Sequence, residues 1–255
     1  MAPRVTRRWV RVGNLRHHFR VAGPAGGVGA PLVLVHGVGV SGAYWARVQP
    51  LLAARRPVYA PDLPGFGHSA KPAAVLDSAG LAGAIRDWLD ALSLARVHLL
   101  GHSLAAQVVA EFARAHPERV ARLVLAAPTI GKRGPKLLRR TLDLLRDIPR
   151  EDPTLLPVVC PAYLRAGPRR IWRTDLLTND DDTVATVAAL RRPLLIVRGS
   201  RDCVVDRAVV QQLLDAAPRA CAVEIPGAAH GLHWSHPRAL ARVVNAFLDG
   251  EAPAE

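Results

Sequence analysis

Three residues far apart in the chain have the types and local settings needed for nucleophilic chemistry. Ser103 lies in Val97-His98-Leu99-Leu100-Gly101-His102-Ser103-Leu104-Ala105, where an apolar run leads through a small residue, the serine and another small residue into a helical stretch. A strand that turns this tightly into a helix projects the serine hydroxyl, and small residues at 101 and 105 relieve the crowding of the turn. The helix start also directs backbone N–H groups at developing negative charge. The bland alternative is a serine that caps the helix.

A hydroxyl at its ordinary pKa is a weak nucleophile and requires a base held in place by a third group. His230 ends the small-residue loop Gly227-Ala228-Ala229-His230 after an apolar run, and is the preferred base. His233 competes with it from three residues on. His236, beside Pro237, reads as a helix cap or a solvent-exposed residue. Asp202 closes Leu194-Leu195-Ile196-Val197-Arg198-Gly199-Ser200-Arg201-Asp202 and is the candidate orienting acid, with a plain turn aspartate as the alternative. The order Ser103, Asp202, His230 separates this arrangement from other serine-hydrolase orders. His36-Gly37-Val38-Gly39-Val40 offers a glycine-relaxed loop, so the N–H groups of Val38 and Leu104 are candidate oxyanion donors. His36 itself reads as structural.

The elements that must carry these groups follow from periodicity. Arg8–Val12 and Arg16–Val21 alternate around Gly13-Asn14 and predict an antiparallel hairpin. An unbroken apolar run at Pro31–Val35 and four short runs of the same kind at Pro57–Ala60, Val97–Leu100, Leu123–Ala126 and Leu194–Val197 predict strands buried on both faces, with a weaker one at Ala222–Ile225. Amphipathic stretches at Ala43–Arg55, Ser78–Leu92, Ala105–His116, Arg207–Ala216 and Pro237–Leu248 predict helices between them. Asp77 and Asp206 are expected to open two of these. The result is an α/β fold: a doubly wound, mostly parallel sheet of eight strands flanked by helices.

The alternation lapses over Thr129–Leu190, where Lys136–Leu145 has helical spacing and prolines punctuate the rest. This stretch, 129–190, is expected to be a helical lid inserted in a core made of 1–128 and 191–255. Tyr163 and Trp172 are its candidate substrate-contacting residues, against the default of helices burying their own faces.

The formal charge of +13 raises a nucleic-acid reading. All but three of the 34 basic residues are arginine, scattered without a recognition helix or RNP-like motif, which fits composition bias and argues against a nucleic-acid partner. The Asp180-Asp181-Asp182-Thr183 cluster lacks histidines or further carboxylates to complete a coordination shell and reads as a helix start, so no metal and no cofactor is expected. Three cysteines without CxxC spacing indicate reduced thiols. No apolar leader or membrane-spanning run is present, so the expectation is a cytoplasmic protein with a small-molecule substrate and no membrane partner.

Together, His36-Gly37, Asp62-Leu63-Pro64-Gly65-Phe66-Gly67-His68-Ser69, Gly101-His102-Ser103-Leu104, Gly199-Ser200-Arg201-Asp202 and Gly227-Ala228-Ala229-His230 resemble the motif blocks of the α/β-hydrolase superfamily. The resemblance runs from about Val10 to Leu248. It implies a Ser103–His230–Asp202 triad, a lid at 129–190, and a structural loop at Asp62–Ser69 bordering the entrance. It points to an esterase- or lipase-like serine hydrolase. Carbon–carbon bond hydrolases are the runner-up, although they often carry asparagine where His102 stands; a non-hydrolytic cyclase or lyase and a small-molecule receptor are more distant. Ser103 argues against the dehalogenases and epoxide hydrolases of this fold, which use aspartate there.

Overall fold

The computed structural model describes residues 3–24, 29–131, 137–179 and 181–251. The centre of the glycine-rich turn (25–28), Lys132, Lys136, Asp180 and the tail beyond Glu251 lie outside them. Eight strands form one sheet: β1 (Thr6–Val12), β2 (Leu15–Ala22), β3 (Leu32–Val35), β4 (Val58–Pro61), β5 (Val97–His102), β6 (Val120–Ala126), β7 (Leu194–Gly199) and β8 (Ala220–Ile225). Their spatial order is β1-β2-β4-β3-β5-β6-β7-β8. The β1–β2 and β2–β4 pairs are antiparallel and all later pairs parallel. From β3 the chain crosses first to β4 on one side and then to β5 on the other. That reversal opens a crevice at the strands' carboxyl ends, the place where sheets of this kind bind ligands.

Ten helices accompany the sheet among the described residues: α1 (Gln49–Leu52), α2 (Ser78–Ala91), α3 (Ala105–Ala115), α4 (Leu137–Asp147), α5 (Leu156–Ala166), α6 (Pro168–Thr178), α7 (Thr183–Ala188), α8 (Arg207–Ala216), α9 (Leu232–Ser235) and α10 (Pro237–Asp249). Asp77 and Asp206 cap α2 and α8 by accepting from Gly80 and Val209 N–H. Asp182 does the same for α7 through Ala185 N–H. The sheet core is closed to solvent. Every side chain of β3 is fully buried, as are Leu99 and Leu100 of β5 and Leu123, Val124 and Leu125 of β6. Burial on both faces is what the unbroken apolar runs require.

Two local expectations need correction. The helix expected over Ala43–Arg55 is divided into a 3₁₀ turn at Gly42–Trp45 and the single turn α1. Pro50 sits in the first turn of α1. It lacks the N–H that a continuous helix would need there, and its ring would clash with the preceding turn. His236 makes no side-chain cap for α10; its Nδ1 lies 2.9 Å from Ser235 Oγ instead, and Pro237 begins the helix.

The segment between β6 and β7 carries α4 to α7 and no strand among its described residues. Among the described residues, all the large apolar side chains left exposed except Trp9 lie on this segment, from Leu142 to Leu177.

Candidate active site

Ser103 follows β5 directly and has φ of +56°, in the left-handed region that serine rarely occupies. The turn is possible because of Gly101: a Cβ there would stand 2.5 Å from Ala105 carbonyl oxygen and 2.6 Å from a Val109 methyl. Ser103 N–H donates to Ala126 O at 3.0 Å, which ties the turn to the end of β6. The strain, on the order of 1–3 kcal/mol, lifts the hydroxyl above the sheet edge.

Asp202 and His230 stand on the loops that follow β7 and β8. His230 Nε2 lies 3.0 Å from Ser103 Oγ, and His230 Nδ1 lies 3.0 Å from Asp202 Oδ2. A carboxylate only accepts, so Nδ1 carries the proton and Nε2 is left to accept the hydroxyl's. Asp202 Oδ1 takes the N–H groups of Val204 and Val205 at 2.8 and 2.9 Å. Burial opposes its charge, but His230 and these two donors outweigh it and hold the carboxyl below its ordinary range. Burial likewise opposes a charged His230. The charge and hydrogen bond of Asp202, with Asp147 and Glu151 behind them, prevail and raise the imidazole above its ordinary 6.5.

Among the described residues His230 alone of the histidines is hydrogen-bonded to Ser103. His233 is fully buried on α9, its ring 3.8 Å from that of Tyr44, with neither nitrogen hydrogen-bonded among the described residues. Burial, then the charges of His102 and His230, push its pKa well down. His102 donates from Nε2 to His230 O at 2.9 Å, and burial holds it neutral with a pKa of about 3. His36 is buried and joins two loops: Nδ1–H donates to Gly37 O at 2.8 Å, and Nε2 accepts Leu63 N–H at 3.0 Å.

Leu104 follows Ser103 directly, and neither its N–H nor that of Val38 meets a backbone acceptor among the described residues. Gly37 brings the Val38 loop close: a Cβ on it would lie 3.5 Å from Ser103 Cβ. The Asp62–Ser69 loop is held by Asp62, which accepts from His68 N–H at 2.8 Å within the loop and from Gly42 N–H at 2.6 Å and His18 Nδ1 at 2.9 Å outside it. His18, Asp62 and His68 come near enough to one another to resemble a metal site. Asp62 Oδ2, the oxygen both histidines approach, already takes His18 Nδ1 and His68 N–H, so the group reads as a structural knot.

The helices between β6 and β7 rest on these loops. A Cβ on Gly39 would collide with the Tyr163 ring on α5 and touch Ile171 on α6. Arg165 Nη1 reaches His68 Nε2 at 2.8 Å, and Arg170 packs on Gly65. Tyr163 is therefore brought to the Val38–Gly39 loop. Trp172 is not: it is 53% exposed, and its neighbour Ile171 makes the contact instead. Adjacent helical residues point about 100° apart, so only one of the two can face the loop.

Sequence reasoning missed Asp147 and Glu151. Asp147 accepts the N–H groups of Cys203 and His230, each at 3.1 Å, and Glu151 accepts that of Gly231. Asp147 ends α4 and Glu151 follows the 3₁₀ turn after it, and nothing in the local spacing sets these two carboxyls apart from solvent-facing ones.

The model of the alpha/beta hydrolase family matches residues 32–243. A pimeloyl-[acyl-carrier protein] methyl ester esterase from Aeromonas hydrophila is 30% identical, over 87% of this chain and 96% of that protein. A 2-hydroxymuconate semialdehyde hydrolase from a Pseudomonas species is 28% identical over 87% and 88% of the two chains. A thermophilic esterase from Thermogutta terrifontis shares the fold with a TM-score of 0.81 at 22% identity, covering 96% of this chain and 98% of that one.

The turn at Ser103 yields a direct test. Gly101→Ala is expected to lower the rate of Ser103 labelling by a fluorophosphonate roughly 100-fold, the effect of displacing a reacting group by about 1 Å. The far-ultraviolet circular dichroism spectrum should be retained. Labelling at the unmodified rate would mean that the turn tolerates a Cβ.

Proposed function

The chain belongs to the alpha/beta hydrolase family, and from that premise we propose that it is a serine hydrolase cleaving a carboxylic ester or related acyl bond of a small, largely apolar substrate. The observation that carries this reading is the continuous path from Ser103 Oγ through His230 to Asp202, two contacts of 3.0 Å each. Ser103 Oγ attacks the acyl carbon while its proton passes to His230 Nε2. The oxyanion is met by Val38 and Leu104 N–H, donors that need no reorganisation. Collapse of the adduct breaks the bond to the leaving alcohol, which takes the proton from His230. Water then attacks the acyl-enzyme and gives its proton to the same nitrogen, and His230 returns that proton to Ser103 Oγ as the bond to the acyl carbon breaks and the acid leaves. Asp202 keeps the imidazole in the required tautomer and stabilises the imidazolium throughout. No step calls for a metal or cofactor.

Similarity to the 2-hydroxymuconate semialdehyde hydrolase supports a second reading, hydrolysis of a carbon–carbon bond beside a ketone. In this chain the residue before the serine is His102, bonded to the His230 carbonyl rather than free to meet a substrate. That favours the ester. Purified protein should hydrolyse a chromogenic short-chain ester and leave a vinylogous diketone intact. Ser103→Ala should then cost roughly 10⁶ in kcat, as losses do when a triad acts as a unit. Ester turnover persisting in Ser103→Ala, or cleavage of the diketone alone, contradicts the reading.

We infer further that 129–190 is a lid over a core of 1–128 and 191–255. Tyr163 and Ile171 against Gly39 support this, because they set an apolar wall beside the Val38 donor. Tyr163→Ala is expected to alter kcat/KM ratios along a series of acyl chain lengths by about 10- to 200-fold, the range that apolar pocket contacts supply. Fluorophosphonate labelling of Ser103 should be unimpaired. Unchanged ratios would place specificity in the core loops.

A further inference from the structure

Asp147 is only 2% exposed, although it ends a helix, α4, whose neighbouring residues are largely solvent-facing. Its two oxygens are divided between two loops. Oδ1 accepts Cys203 N–H, immediately after Asp202, and Oδ2 accepts His230 N–H, both at 3.1 Å. One carboxylate thus spans the loop of the acid and the loop of the base. Glu151, one turn further along, accepts the next N–H in line, that of Gly231, through Oε1. Its Oε2 is buried with no donor among the described residues, and the carboxyl lies within hydrogen-bonding reach of Asp147.

Two carboxyls in contact need a proton between them. Both Asp147 oxygens already accept N–H groups, so the proton belongs on Glu151 Oε2, where it donates to Asp147 and removes the orphaned acceptor. We propose that Asp147 and Glu151 are a positioning pair: they clamp the Asp202 loop to the His230 loop and supply negative charge that supports the protonated imidazole. This rests on the reading of Ser103 and His230 as the hydrolytic machinery.

Burial and the bond to Asp147 raise the Glu151 carboxyl to about 7, so Glu151 adds its own negative charge beside His230 only as the pH passes neutrality. Facing this pair are His230 on the β8–α9 loop, Asp202 after β7 and Tyr44 in the 3₁₀ turn. His102 and His233 lie behind His230 and stay neutral. Arg198 bonds the Asp202 carbonyl and pairs with Glu224, and Arg146 pairs with Asp143, so neither neutralises the pair. The sign follows. Each negative charge raises the imidazole pKa, so activity that requires neutral His230 begins at higher pH with the pair than without it.

The test is a nuclear magnetic resonance titration of the His230 imidazole in the full-length protein, assigned by the signal lost in His230→Gln, with Ser103 labelling by a fluorophosphonate followed over the same pH range. Glu151→Gln copies the protonated glutamic acid in shape and donor, so folding is preserved while the second charge cannot form. The double variant Asp147→Asn with Glu151→Gln removes both charges.

The unmodified protein is expected to titrate above 6.5 with a second inflection near pH 7. Glu151→Gln should titrate in one step at lower pH. The double variant should fall by about one pH unit, with kcat lowered roughly 10- to 100-fold and little change in KM. If the double variant fails to fold, loss of the second inflection in Glu151→Gln decides the matter alone. Labelling of Ser103 in the unmodified protein with an unmoved His230 titration in Glu151→Gln overturns the positioning pair and leaves the hydrolase standing. No labelling of the unmodified protein at any pH overturns both.

Discussion

A serine held at φ +56° between a buried strand and a helix is the constraint on which the rest of the site depends. That conformation is unfavourable for a residue with a side chain, and it persists only where the surroundings leave no alternative. Here they do so from three directions. Gly101 lets α3 fold back within contact of β5, Ala126 O takes the Ser103 N–H, and packing closed to solvent around Leu99 and Leu100 fixes the strand. The neighbouring parallel strands β6, β7 and β8 end on the same edge, so their following loops can reach the serine. The antiparallel hairpin β1–β2 only extends the far side of the sheet, and its Asp62 partner His18 ties it to the loop before α2.

Electrostatics then distinguishes one histidine from its neighbours. His102, His230 and His233 crowd together, with ring centroids 4.9 Å apart for His102 to each of the others. Burial acts alike on all three and disfavours charge. Only His230 has carboxylates near enough to reverse that effect, so it alone is raised while the other two remain neutral. Neutral neighbours matter for the chemistry. In the proposed hydrolysis a second imidazolium beside His230 would oppose its taking a proton from Ser103, whereas neutral neighbours leave the nearby carboxylates to govern it.

Much of this was legible in the sequence because it is local. An apolar run buried on both faces cannot also be a surface helix, so β3, β5, β6 and β7 were readable, and the turn after each follows from small residues. Ser103, Asp202 and His230 each stand just past such a run, and the fold brings their side chains to 3.0 Å. What could not be read is long-range or a matter of facing. Asp147 meets His230 across 83 positions, and its helix has the same spacing whether that carboxyl is buried or wet. Ile171 and Trp172 are equally apolar neighbours, and only the packing of α6 on Gly39 selects the first. The break at Pro50 was readable in principle, but the amphipathic spacing around it masked a proline that interrupts the helix.

The central claim is covalent: Ser103 Oγ bonds to the acyl group. Peptide mass spectrometry on protein quenched during turnover of an activated ester tests it most directly. The account predicts an acyl-sized mass increase confined to the peptide containing Ser103, absent when the same protein is quenched after the ester is exhausted. An acyl group on any other residue, or turnover with Ser103 unmodified at every quench time, would contradict it.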